Sequence, residues 1–194
     1  NENLKYAQIQ IGWMFHKYYE LQGQQIGKEK AIEYLTLAAN QNDSSSQYNL
    51  GCIYFNEYLR TNDINAIEKC ICYFKLCSNC FIEAQFYLGI IYLDKKYQHF
   101  DLTTGMYYLK LAAENDHSNA QFFLGSYYYN GDLFPKDINK AIHYITLSAN
   151  KNNPIAQYEL ARIYIYDEFI QIDKQKGLYY LNLSADNDFP DAKG

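Results

Sequence analysis

One short pattern recurs five times along this chain at nearly constant spacing. It reads Ala7-Gln8-Ile9-Gln10-Ile11-Gly12, Ser46-Gln47-Tyr48-Asn49-Leu50-Gly51, Ala84-Gln85-Phe86-Tyr87-Leu88-Gly89, Ala120-Gln121-Phe122-Phe123-Leu124-Gly125 and Ala156-Gln157-Tyr158-Glu159-Leu160-Ala161. The copies start at 7, 46, 84, 120 and 156, so the steps are 39, 38, 36 and 36, and a sixth copy opens at Ala192. Self-similarity at such a period signals stacked supersecondary units. Each unit then buries its apolar face against its neighbours, with no single central core.

Each copy runs on into an aromatic three residues after its Gly or Ala: Phe15, Tyr54, Tyr92, Tyr128 and Tyr164. That spacing is helical. A second amphipathic pattern follows in every unit, with small residues at Ala31, Cys70, Gly105, Ala141 and Gly177. Facing small residues (Gly12, Gly51, Gly89, Gly125 and Ala161 on the first helix) let two backbones approach closely, and this offsets the roughly 1 kcal/mol that Gly costs inside a helix. Asp101, Asp137 and Asp173 are placed to cap the second helices. Asn- and Asp-rich turns join the units, since these residues tolerate left-handed backbone. In the first two units the Gly-to-small distance is 19 residues, against 16 in the others. The extra residues, around 18–27 and 57–65, are expected to lengthen the loops. The expected fold is all-α: a right-handed α/α superhelix of about five helix-turn-helix repeats in a single domain, 1–194. The repeats are read at 4–43, 44–81, 82–117, 118–153 and 154–189, with a truncated sixth from 190. A chain that begins without Met and stops inside a repeat reads as part of a longer protein.

Composition narrows the function. Hydrophobic residues make up 48% and charged residues 20%, which fits an ordered chain. Seventeen Lys and Arg form no basic run and the net charge is −5, so no nucleic-acid footprint is expected. No apolar stretch reaches the roughly 20 residues of a membrane helix, so no direct membrane insertion is expected in this segment. Five cysteines, crowded at Cys52, Cys70, Cys72, Cys77 and Cys80, do not suggest a disulfide framework and favour a reducing compartment. Cys70 and Cys77 sit where unit one carries Ala31 and Ala38, so they are read as core residues, with no metal site and no cofactor. His16, His99, His117 and His143 fall in different units, and no catalytic constellation is visible. The recurrent Gln8, Gln47, Gln85, Gln121 and Gln157 allow two readings, a ladder bonding to adjacent turns or surface solvation. Asn42 and Asn182 each fit the glycosylation acceptor pattern.

The pattern Ala-x-x-x-Leu-Gly-x-x-Tyr, then Asp-x-x-Lys-Ala, then Tyr-x-x-x-Ala-Ala resembles Sel-1-like repeats, a branch of the tetratricopeptide-like solenoids. It is fullest in unit four, at Ala120, Leu124, Gly125, Tyr128, Asn130, Gly131, Asp137, Lys140 and Ala141. The chain departs from it where Gly27 or Ala66 replaces the capping Asp and where Ala161 replaces Gly. The resemblance implies a scaffold or adaptor that binds a peptide or helix of another protein along a concave face formed by the first helices, within a larger complex. By register, that face takes the third, seventh, tenth and eleventh positions of each copy. The expected partner-binding residues are Trp13, Tyr48, Phe55, Asn56, Phe86, Leu93, Phe122, Tyr129, Asn130, Tyr158 and Arg162, with His16 on the same stripe; burial of these rings between units is the alternative. The expected location is the cytoplasm. Alternatives are a lumenal (endoplasmic reticulum) or secreted adaptor, the regulatory part of an enzyme, or a β-lactam-handling cysteine-rich repeat protein. The last of these pairs cysteines at positions that here hold Ala39 and Ser46, Ser78 and Ala84, and Ala113 and Ala120.

Overall fold

The computed structural model describes residues 2–22, 25–168 and 170–192, with side chains for all of these but 3, 4, 16, 18–22 and 25. Among the described residues there are ten α-helices, one short 3-10 helix (Pro190–Ala192) and no strand. The helices are α1 (Glu2–Gln22), α2 (Gln25–Ala39), α3 (Ser44–Thr61), α4 (Ile64–Cys77), α5 (Ile82–Leu93), α6 (Leu102–Glu114), α7 (Ser118–Asn130), α8 (Ile138–Ala149), α9 (Pro154–Tyr166) and α10 (Lys174–Asp186). They form two compact units, Asn1–Leu88 and Gly89–Gly194.

In the first unit α1 packs on α2, α2 on α3 and α3 on α4. The small residues do what their spacing predicts. A Cβ at Gly51 would lie 2.5 Å from the Phe74 ring, and one at Gly12 would lie 2.9 Å from Leu35 Cδ2. Cys70 and Cys77 are fully buried. Beside each crossing an aromatic of the first helix stacks on one of the second: Phe15 on Tyr34 at 6.2 Å and Tyr54 on Tyr73 at 5.9 Å, with the Lys69 ammonium 5.0 Å above Tyr54.

The second unit repeats this packing. Gly89 meets the Leu109 backbone and Gly125 meets Ile145. Tyr128 stacks on Tyr144 and Tyr164 on Tyr180, each at 6.1 Å. Ile145, Ala149, Ala156, Leu160, Ala161, Ile163 and Tyr180 form one buried cluster. Each fully buried Leu or Ile contributes about 1.5–3 kcal/mol.

The glutamines settle the question left open by the sequence. Gln47, Gln85, Gln121 and Gln157 are buried. Their amides donate to the carbonyls of Ala39 (3.3 Å), Ser78 (2.6 Å), Ala113 (3.1 Å) and Ala149 (3.1 Å) at the ends of the preceding helices. The carbonyls of Ala39, Ala113 and Ala149 also accept the turn N–H groups of Asn42, Asp116 and Asn152, so each glutamine adds a bond that ties its repeat to the one before. Asn42, Asp116, Asn152 and Asp188 adopt the expected left-handed backbone in the turns after the second helices. Asp101, Asp137 and Asp173 cap α6, α8 and α10 as expected.

Two local expectations are corrected. The additional residues of the first two repeats extend helices instead of loops: α1 has 21 residues and α3 has 18, against 12 or 13 for α5, α7 and α9. Between α3 and α4 only Asn62 and Asp63 remain, with Asn62 in the left-handed region; the link after α1, residues 23 and 24, lies outside the described residues. A helix absorbs three residues as nearly one further turn, keeping every new backbone group bonded. Ala66 accordingly does not stand in for a cap. Asp63 caps α4 one turn earlier, accepting from the Asn65 N–H at 3.0 Å, and Ala66 is buried inside the helix; Gly27 likewise lies within α2.

Candidate protein-binding site

In the second unit, the third, seventh, tenth and eleventh positions of α7 share one helical face. Phe122, Ser126, Tyr129 and Asn130 line a cavity of about 280 Å³ together with Ile145 of α8 and Glu159, Arg162 and Ile163 of α9. Four of the expected residues thus converge here: Phe122, Tyr129, Asn130 and Arg162. Ile145 and Ile163 are buried, and the open surface of the cavity is more polar than apolar. Asn130 and Arg162 are exposed, and the Arg162 guanidinium pairs with Glu159 at 2.9 Å.

Tyr129 is held in place. Its hydroxyl donates to Asp167 Oδ2 at 2.6 Å, and the Lys136 ammonium lies 5.2 Å from its ring. The bond to Asp167, helped by burial, pushes the phenol up to about 12 because the neutral donor is favoured over the anion. Asp167 is buried and caps the end of α9. The ring is therefore pre-positioned, which lowers the ordering cost of binding.

An adjacent side of α7 borders a larger cavity, about 560 Å³, lined by Ile90, Leu93, Asp94, Lys95, Tyr97, Phe123, Tyr127, Asp132 and Leu133. Leu93 was expected at a binding face, and it does line this cavity. It is only 3% exposed, however, and packs against Gly105. Phe123 and Tyr127 were not singled out by register, and Tyr97, Asp132 and Leu133 sit in loops, where no helical periodicity marks them.

In the first unit the stripe is filled with rings. Phe55 lies 5.2 Å from Tyr87, Phe86 5.7 Å from Tyr87, and Tyr48 stacks on Phe81 at 4.8 Å. Phe86 is buried, Asn56 is exposed on α3, and Trp13 is 54% exposed on α1. The His16 side chain lies outside the described residues. Tyr158, in the second unit, packs on Phe189 at 5.2 Å.

The five cysteines are free thiols. Burial pushes the Cys77 thiol up to about 12 and raises Cys70 and Cys52 as well. Among the described residues no group of three or more His, Cys, Asp or Glu is placed to hold a metal ion, and no helix is long and apolar enough to cross a membrane.

The Sel1 repeat profile matches residues 5–43, 44–68, 82–117, 118–153 and 154–189. No curated protein sequence matches the chain. Among solved structures it is similar to a protective antigen of uropathogenic Escherichia coli strains that displays an SLR fold, with 21% identity and a TM-score of 0.79 over 97% of this chain and 39% of that one. It is also similar to a Sel1 repeat protein from Oxalobacter formigenes, with 26% identity and a TM-score of 0.77 over 97% and 75%. A Sel1 repeat protein from Klebsiella pneumoniae subsp. pneumoniae matches with 20% identity and a TM-score of 0.57 over 97% and 89%. The chain thus spans well under half of the first of these proteins. Five in-register matches over most of the sequence, on helix pairs closed by facing small residues, make this chain a member of the Sel1 repeat family.

Proposed function

We propose that this chain is a protein-binding scaffold that holds a peptide or helix of a partner on the face of its first helices. Sel1 repeat proteins are in general protein–protein interaction scaffolds, which supports the class. The observation that carries the site is the cavity between α7 and α9, where Phe122, Tyr129, Asn130 and Arg162 converge. Aromatic and Arg residues around a well-packed pocket are the usual anchors of an interface. Trp13, Tyr48, Phe55 and Asn56 in the first unit and Tyr158 in the second each retain surface, whereas Phe86 and Leu93 are buried.

The test is capture of binding proteins on the immobilised chain, followed by titration of each purified candidate. Phe122→Ala with Arg162→Ala is expected to weaken a partner about tenfold or more. A partner held equally well by that variant would refute the site. The free thiols favour a reducing compartment, and we propose the cytoplasm. The alternative, a lumenal or secreted adaptor, predicts glycan mass at Asn42, which lies exposed in a turn, or at Asn182 on α10.

A further inference from the structure

The larger cavity has a charge character that the smaller one lacks. Ile90, Leu93, Phe123, Tyr127 and Leu133 supply its apolar surface, and two carboxylates stand on it. Asp94 directly follows α5, its N–H bonding to the Ile90 carbonyl at 3.1 Å; Asp132 follows Gly131, the left-handed cap of α7. Both carboxylates therefore sit where a first helix ends. A helix C-terminus carries a partial negative charge of its own, which adds to that of the carboxylate. Lys95 is the only cation among the lining residues, so two acids and two helix ends face one ammonium. Burial, then Asp94, then Asp132 raise the Tyr127 phenol, which places its hydroxyl within the field of both acids.

We infer that this cavity takes a partner segment in which an arginine or lysine stands next to a bulky apolar residue. The apolar side chain fills the space between Phe123 and Leu133, and the cation lies between Asp94 and Asp132. An anionic segment would face uncompensated repulsion there. This inference rests on the scaffold reading above and adds the chemistry of the ligand to it.

The probe is a phage-displayed library of random dodecapeptides, selected on the immobilised chain at low salt. Enriched peptides are then synthesised and titrated by fluorescence anisotropy. Peptides pairing Arg or Lys with Leu, Ile or Phe are expected to dominate. Asp94→Asn combined with Asp132→Asn should weaken them about tenfold, and Lys95→Glu should tighten them about threefold, the scale of partly exposed charge pairs. Circular dichroism establishes that each variant is folded; Lys95→Glu, at an exposed position, keeps the test open if the double variant is not. Enriched peptides without a basic bias, or affinities unmoved by these changes, would overturn the inference and leave the scaffold reading standing. A library yielding no enriched peptide would overturn both.

Discussion

Gly89→Leu probes the closest backbone approach in the second unit. A Cβ at residue 89 would lie 2.9 Å from Leu109 N and 3.0 Å from Leu109 Cα and Cβ. Carbon contacts are comfortable at about 3.5–4.0 Å, so the first added atom alone requires α5 and α6 to part by about 0.5–1 Å. No rotamer change relieves this, because the atoms met first are backbone. Leu109 is itself fully buried, so three further carbons find no space. Replacing Gly in a helix returns about 1 kcal/mol of propensity, while overpacking costs about 1–3 kcal/mol or more. With the upper end of that range expected at a backbone contact, the net loss is about 2 kcal/mol. For a chain of this size that lowers the thermal midpoint by about 4–8 °C. Thermal unfolding followed by far-ultraviolet circular dichroism reads the shift. Because a repeat chain can open locally, hydrogen exchange of the α6 amides is measured alongside. Gly12→Ala is the milder comparison: its propensity gain is similar, it adds one carbon instead of four, and its nearest neighbours are Leu35 Cδ2 and Cγ at 2.9 Å, with the Leu35 backbone N at 3.2 Å. It should therefore lose clearly less stability than Gly89→Leu. A midpoint for Gly89→Leu at or above that of the unmodified chain would refute the reasoning.

Three further predictions rest on other features. Gln157→Leu should cost about 1 kcal/mol, seen as a lower urea midpoint, because it removes the 3.1 and 3.0 Å bonds to the Ala149 carbonyl and the Asn187 amide, which keep the Asn152 N–H and the Leu183 carbonyl as partners. Asp167→Asn should bring the Tyr129 phenol down from about 12 toward 10, observed by tyrosine Cζ chemical shift against pH. The folded value is raised, so this stabilisation is complete below pH 10 and fades as pH rises through 12. In alkylation at pH 8 read by mass spectrometry, the exposed Cys72 and Cys80 should label first, with Cys70 and Cys77 protected until the chain unfolds.

The cysteine cluster shows how far register alone reaches. Aligning Cys70 with Ala31 and Cys77 with Ala38 predicts two inward thiols, and both are fully buried. The same alignment could not tell whether the additional residues of the first two repeats are loop or helix, since polar residues suit either. Hydrogen bonding decided for helix, moving the cap of α4 to Asp63. The glutamine ladder was equally ambiguous. An amide at a helix surface faces water or a neighbour's carbonyl according to how closely the preceding turn approaches, and that approach is a tertiary quantity.

The sequence by itself determined the repeat, the paired helices, the crossings at small residues and the family. These are local or periodic properties, written again in each unit. Only the tertiary structure decided what each ring of the stripe packs against. Tyr48 packs on Phe81 and Tyr158 on Phe189, each from the turn after the second helix of its own repeat. At the corresponding place beyond Phe122 stands Asn153, committed to capping α9 and donating to Asn119 at 3.0 Å. The residue that faces each ring from the turn thus lies about thirty positions away, brought near by the fold, and no helical period connects the two.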